Sequence, residues 1–270
     1  MAPEQQEENQ LVEIETLETV EFNVGLYSKF WNPKMRPYIS AKANGKYLFD
    51  TEISRILLGR AYQYILDLAG ANADILLVGV KNKNTAPIIA DAAKRVKTFH
   101  LTQRWLGGLL TNFKTISLNI KKLNYLETLL EDPEMQSVYT KKELIKIQKQ
   151  KDKLEKFYGG IKNLNKLPEL IILFNPQEDV TCLKEAKKMG IPVVALTNTN
   201  ADPDLIEFPI PGNNTSMKSV YFVANFLCDA IAQAQEIPTL MAYKKCSEIE
   251  IPEEYSYKPK THERGHISFI

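Results

Sequence analysis

An α/β fold, a parallel sheet flanked by helices with an antiparallel helical hairpin inserted into it, follows from three observations on this sequence. Apolar runs such as Ile75-Leu76-Leu77-Val78-Gly79-Val80 and Leu170-Ile171-Ile172-Leu173-Phe174 read as strands buried on both faces, the pattern of a parallel sheet. Segments with apolar residues at three- and four-residue spacing alternate with those runs, as crossover connections require. Between two of the strands, residues 114–159 carry two helical stripes parted by Asp132-Pro133.

Taken in order, residues 1–21 hold seven glutamates and no Lys or Arg, so a mobile acidic arm with at most one short helix is expected. That charge balance is the opposite of a basic export signal. The α/β domain is expected over 22–113 and 160–240, the hairpin over 114–159 and a tail over 241–270. Residues 22–38, interrupted by Gly25, Pro33 and Pro37, read as an ordered loop rich in rings. Lys46-Tyr47-Leu48-Phe49 is a short strand. Asp50 or Thr51 then caps a helix with Ile53, Ile56, Leu57, Ala61, Tyr64, Ile65 and Leu68 on one face, ended at Gly70. The first central strand, 75–80, leads through a crossover helix over 84–96, with Pro87 in its first turn, to a second strand over 98–101.

In the hairpin, Ile116, Ile120, Leu123, Leu126 and Leu130 form the first stripe. Thr140 and Glu143 form a capping box opening the second, made of Leu144, Ile147, Leu154 and Phe157 and stopped at Gly159-Gly160. The two stripes are expected to bury mainly against each other. The sheet resumes at 170–174, followed by a helix with Leu183, Ala186 and Met189 capped by Gly190, a strand over 191–196 and a short apolar segment over 206–210. A last helix carries Met217, Val220, Ala224, Leu227, Ile231 and Ala234, and Pro238 is expected to end the fold.

Composition narrows the function. No apolar run approaches the ~18 residues of a membrane span, so a soluble chain is expected. Cys182, Cys228 and Cys246 are scattered without a CxxC pair and away from the histidines, which predicts free thiols and no metal site. The net charge of +1 hides a basic middle: residues 81–122 hold nine Lys/Arg against one acid, Asp91. A second group, Lys29, Lys34, Arg36, Lys42 and Lys46, precedes any acid before Asp50. Such blocks attract polyanions, with a merely solvated face as the plainer alternative for each.

The stretch 102–114 joins a strand to a helix and gathers Gln103, Arg104, Trp105, Gly107, Gly108, Asn112 and Lys114. Guanidinium, amide and ammonium groups beside a flexible glycine turn suit a phosphate backbone, and the turn's amides could approach RNA closely. A buried tryptophan beside a tight turn is the alternative, and Trp105 itself is expected in the core. Trp31, Asn32, Lys34 and Arg36 form a similar set in the ring-rich loop, while Lys81 and Lys83 follow the first central strand. On the hairpin, Lys121 and Lys122 of the first arm and Lys146, Lys149 and Lys153 of the second are expected to reach a polyanionic partner, with a salt-bridged solvent face as the alternative. An enzyme reading is weaker. After Val78 the chain reads Gly79-Val80-Lys81-Asn82-Lys83-Asn84, with neither a GxGxxG fingerprint nor a GxxxxGK[ST] loop. Asp202 and Asp204 flank a proline as turn formers do, and His100 has no Ser, Cys or Asp partner identifiable from spacing.

Three motifs, Trp31-Asn32-Pro33-Lys34-Met35, the 102–114 stretch and Ile210-Pro211-Gly212-Asn213-Asn214, resemble in that order the bacterial small-subunit ribosomal protein two family. Gly159-Gly160-Ile161-Lys162, Leu167-Pro168, Gly190-Ile191-Pro192, Thr199-Asn200 and Asp202-Pro203 extend the resemblance over residues 22–240. It implies a flavodoxin-like or Rossmann-like sheet with a protruding hairpin, no catalysis and no cofactor. It also implies 16S-type ribosomal RNA and neighbouring small-subunit proteins as partners, small-subunit protein one among them, and neither a membrane nor a small-molecule substrate. Where many relatives carry histidines this chain has Asn23 and Leu26, and where they carry aspartates it has Asn198 and Asn214. The wording resembles low-GC, wall-less bacteria and a cytoplasmic ribosome, with an organellar ribosome as the alternative.

Overall fold

The computed structural model describes residues 11–80 and 82–255. The first ten residues of the acidic arm, Lys81 and the last part of the tail lie outside the described residues. A short helix α1 (Ile14–Thr19) is followed by strands β1 (Val24–Tyr27), β2 (Ile39–Ala43) and β3 (Lys46–Phe49), helix α2 (Thr51–Gly70), strand β4 (Ile75–Val78), helix α3 (Ala86–Arg95) and strand β5 (Phe99–Leu101). Helices α4 (Phe113–Glu131), α5 (Pro133–Ser137) and α6 (Lys141–Tyr158) come next. Strand β6 (Leu170–Leu173), helix α7 (Val180–Met189), strands β7 (Val193–Thr197) and β8 (Phe208–Pro211) and helix α8 (Met217–Ala234) complete the order.

The five-stranded sheet runs β5-β4-β6-β7-β8, parallel throughout. Every residue of β4, β6 and β7 is buried, because helices cover both faces. Strand alternation sends Ile75, Leu77, Leu170 and Ile172 into one layer with α2, α3 and α8. Leu76, Val78, Ile171 and Leu173 enter the opposite layer with α7, Trp105, Leu109 and Leu110. This is the α/β sheet that the apolar runs predict.

Four expectations change in detail. On α2 the buried face is Ser54, Leu58, Ala61, Tyr62 and Ile65, whereas Ile56 is exposed. Tyr62 reaches α8, where its ring meets Phe226 and its hydroxyl donates to Gln233 Oε1 at 2.7 Å. The ring-rich loop is partly a three-stranded antiparallel sheet, β1-β3-β2. Its β2–β3 hairpin closes on Asn44 and Gly45, both at positive φ, as a two-residue primed turn needs. The acidic arm is not free along its described length: Val12, Leu17 and Val20 are buried in the main core. Nor does Pro238 end the fold. Met241 and Ala242 are buried, and the amides of Leu240, Met241 and Ala242 donate to the fully buried Asp229 carboxylate, which also takes Arg95 Nη2 at 2.7 Å.

The hairpin is anchored at its base. Ile116 and Ile120 of α4 belong to the sheet's second core layer, and Asn119 Nδ2 donates to Tyr158 Oη at 3.1 Å. Further out, Leu123, Leu126 and Leu129 of α4 are buried, Leu129 in place of the expected Leu130, whereas α6 holds no fully buried residue. The stripes therefore bury against each other only beyond the first turns of α4.

Candidate nucleic-acid interface

All three motifs gather at the carboxyl edge of the parallel sheet, where open α/β sheets place their ligands. The 102–113 loop leaves β5 and folds around one side chain from α7. Glu185, 8% exposed, accepts from Trp105 Nε1 (3.0 Å) and Gly108 N (2.9 Å) on one carboxylate oxygen. Its other oxygen accepts from Leu110 N (3.1 Å), Thr111 N (3.4 Å) and Thr111 Oγ1 (3.4 Å). Burial alone would push the Glu185 pKa up, but the donors from Gly108, Trp105, Leu110 and Thr111 outweigh it and hold it below the usual carboxylate value. Gly108 takes φ +85° to present its amide. The amides of Gly108, Leu110 and Thr111 thus serve an internal carboxylate, and Trp105 is core.

The loop turns outward side chains and the backbone of Gly107. Gln103, Arg104, Gly107, Asn112 and Lys114 are exposed. A cavity of about 470 Å³ is lined by Lys83, Asp91, Lys94 and Gln103, and one of about 410 Å³ by Lys94, His100, Gln103, Glu155, Lys156 and Phe157, with Lys94 Nζ paired to Asp91 at 3.3 Å. A third of about 250 Å³ is lined by Arg104, Gly107, Phe157 and Tyr158. Shared walls make these one cleft running from the end of β4, past β5, to the base of the hairpin. Gly160 lets the hairpin base seat there, since a Cβ would strike the His100 carbonyl and ring. Burial, with Lys94 close by, pushes the His100 pKa down. Lys94 and Lys156 join the cleft without having been singled out as contacts in the sequence; only the structure brings α3 and the end of α6 to β5.

The Trp31 group docks three strands away, roughly 14 Å across the sheet. Asn32 N donates to Thr199 O (2.8 Å) beyond β7, and the Asn32 side chain caps Lys34 N at 3.1 Å. Lys34 Nζ meets Asp202 at 2.7 Å and Asp204 at 2.8 Å, so its charge is answered within the chain. Hydrogen bonds to those two carboxylates raise the Lys34 pKa, and Lys34 in turn lowers that of Asp202. The Trp31 ring leans on Tyr47, centroids 4.9 Å apart, and Arg36 is exposed. The third motif is a brace: Gly212 lies against the Phe22 ring, Asn213 N donates to Phe22 O, and Asn213 Oδ1 accepts from Thr215 N and Ser216 N ahead of α8. Asn198 Nδ2 donates to Asn214 Oδ1 at 2.8 Å, so the two amides form a buried pair. Lys121 and Lys122 on α4, and Lys146, Lys149 and Lys153 on α6, are all exposed. Sequence reasoning missed Glu185. Its signal was a lone acid three residues after Cys182 and beside Ala186, on the apolar stripe of α7.

The model of the ribosomal protein S2 family matches residues 17–234. The small ribosomal subunit protein uS2 of Malacoplasma penetrans is 39% identical over 264 residues, 96% of this chain and 72% of that protein. The same protein of Ureaplasma parvum serovar 3 is 44% identical over 90% of this chain and 69% of its own length. That of Mycoplasma pneumoniae is 42% identical over 90% and 82% respectively.

Proposed function

The chain belongs to the ribosomal protein S2 family, and from that premise we propose that it grips ribosomal RNA along the cleft beyond β5 and the exposed face of the hairpin. As a member it is a structural constituent of the small ribosomal subunit and not an enzyme. The observation that carries the RNA reading is the continuous cleft in which Lys83, Lys94 and Lys156 converge with Gln103 and Arg104 from four separate segments. Ammonium and guanidinium groups there take phosphates and release counterions. Residues 114–159 act as an inserted lever, with Lys146, Lys149 and Lys153 on its solvent side. The partners are 16S-type RNA and neighbouring small-subunit proteins, small-subunit protein one among them, on a cytoplasmic ribosome.

The test is the salt dependence of small-subunit association for Lys83→Gln/Arg104→Gln and, separately, Lys146→Gln/Lys149→Gln/Lys153→Gln. All five side chains are exposed, so the fold should be kept. Each lost phosphate contact should flatten the log–log slope by roughly 0.7–0.9. Unchanged slopes and affinity in both variants would remove cleft and lever from the interface.

A further inference from the structure

The stretch that follows α8 is fastened at two points and frames a cavity between them. At its start the Asp229 carboxylate holds the amides of Leu240, Met241 and Ala242. At its end the Tyr255 ring stacks on Tyr221 of α8, centroids 5.1 Å apart and planes at 29°. The cavity between these fastenings is about 750 Å³, the size of a ligand pocket. Its walls have two characters. Leu240, Ile251 and Tyr221 form an apolar side, with Leu240 38% exposed. Glu248, Glu250 and Glu253 form an acidic side, set against Lys244 alone. All three glutamates are exposed, and none makes an ion pair among the described residues.

We propose that this groove seats the chain's own residues 256–270. That segment, which lies outside the described residues, carries Lys258, Lys260 and Arg264 against one acid, Glu263, and then Ile267, Phe269 and Ile270. Charge and apolarity thus fall in the same two blocks as on the walls: cations for the three carboxylates, aliphatic and aromatic side chains for Leu240, Ile251 and Tyr221. The chain leaves the described part at the groove itself, since Glu253 lines it and Tyr255 stacks on its Tyr221 wall. Half of the fifteen residues that follow spans about 25 Å when extended, so the segment can turn and come back along the cavity. Tethering at the rim makes the contact intramolecular, with an effective concentration on the order of millimolar that a separate peptide would have to outcompete. A polyanion meets three carboxylates here against one ammonium, so this face selects against the ligand proposed for the cleft beyond β5. The groove is a basic-peptide site filled in cis.

The experiment is limited trypsin digestion of the full chain, with cleavage after Lys260 and Arg264 followed by mass spectrometry and compared with a free peptide of residues 251–270. Cleavage tracks the fraction of time that the segment is undocked, so the full chain should be cut roughly tenfold more slowly than the peptide, or slower still. Two variants divide the contact. Glu248→Gln/Glu250→Gln/Glu253→Gln removes the acidic wall, and Ile267→Ser/Phe269→Ser removes the apolar anchor; each should restore most of the peptide's rate. The three glutamates are exposed, and Gln keeps an oxygen for Lys245 N, which Glu248 accepts at 3.4 Å, so the first variant should melt like the parent. Added salt should speed cleavage of the parent by screening the same pairs. Protection that survives dilution and is lost in both variants supports the assignment. Cleavage of the parent at the peptide's rate, or either variant as protected as the parent, would overturn it. So would protection that fades on dilution, because another copy's segment would then fill the groove. None of these readings involves RNA, so they stand or fall apart from the cleft.

Discussion

Replacing Glu185 by Gln changes almost nothing in shape and reverses the polarity of half its contacts. The carboxylate presents one oxygen to Trp105 Nε1 and Gly108 N and the other to Leu110 N and Thr111 N. A glutamine has one acceptor and one NH₂, so in either orientation two N–H groups face a donor. Leaving a buried donor unmet costs about 1–3 kcal/mol, and the pair kept by the remaining oxygen loses its charge assistance. We expect Glu185→Gln to destabilise the fold by about 2–5 kcal/mol, roughly 4–9 °C in Tm for a chain of this length. Melts followed by tryptophan emission and circular dichroism would measure it. The pH dependence supplies the sharper test. Because the folded Glu185 pKa lies below its unfolded value, its stabilisation is complete above the unfolded value and disappears as pH falls through the folded one. The gap between parent and variant should therefore be widest at neutral pH and close well below about pH 4. A gap under about 0.5 kcal/mol, or one that does not change with pH, would refute the idea that this carboxylate organises the loop.

Two further substitutions test buried polar groups. Asn214→Asp keeps the acceptor for Asn198 Nδ2 and should change stability by less than about 1 kcal/mol, whereas Asn198→Asp/Asn214→Asp sets two carboxylates face to face and should cost about 3–5 kcal/mol at neutral pH. One carboxyl pKa is then raised, so stability lost at pH 7 should return as pH falls toward 4; a double variant equally stable at both would exclude the amide pair as a polarity device. Asp229→Ala removes the acceptor for three backbone amides and for Arg95, and should cost about 3–5 kcal/mol. The 238–255 segment should then become sensitive to trypsin at Lys244 and Lys245, and unchanged cleavage would mean that segment is held by its apolar contacts alone.

Where periodicity spoke through apolar residues, the sequence was readable. The strands of the parallel sheet, the α3 crossover and the stripe of α4 are runs in which burial on both faces or on one helical side leaves no choice of residue. The antiparallel sheet escaped because β1 and β2 are short and largely exposed, so no alternation marks them; the Asn44-Gly45 pair was the available signal. Both chain ends were misjudged for one reason. Val12, Leu17 and Val20 are diluted by glutamates, and Met241-Ala242 is held by a carboxylate twelve residues upstream, which no local window detects. Basic blocks named Lys83 and Arg104 as candidates, but convergence with Lys94 and Lys156 depends on how α3 and α6 pack on β5, a tertiary fact.

The filled edge of the sheet explains why cations, rather than backbone, face outward. In an open α/β sheet the amides beyond the strands are the natural seat for a ligand's phosphate. Here the chain's own oxygens occupy several such positions: Glu185 takes the amides of Gly108, Leu110 and Thr111, Asn213 takes those of Thr215 and Ser216, and Asp202 takes that of Asp204. A phosphate arriving at this edge therefore meets long, mobile side chains carried on a stiff frame. Lysines of that kind neutralise charge without selecting a base. If the proposed cleft takes RNA, its affinity should depend steeply on salt and little on sequence.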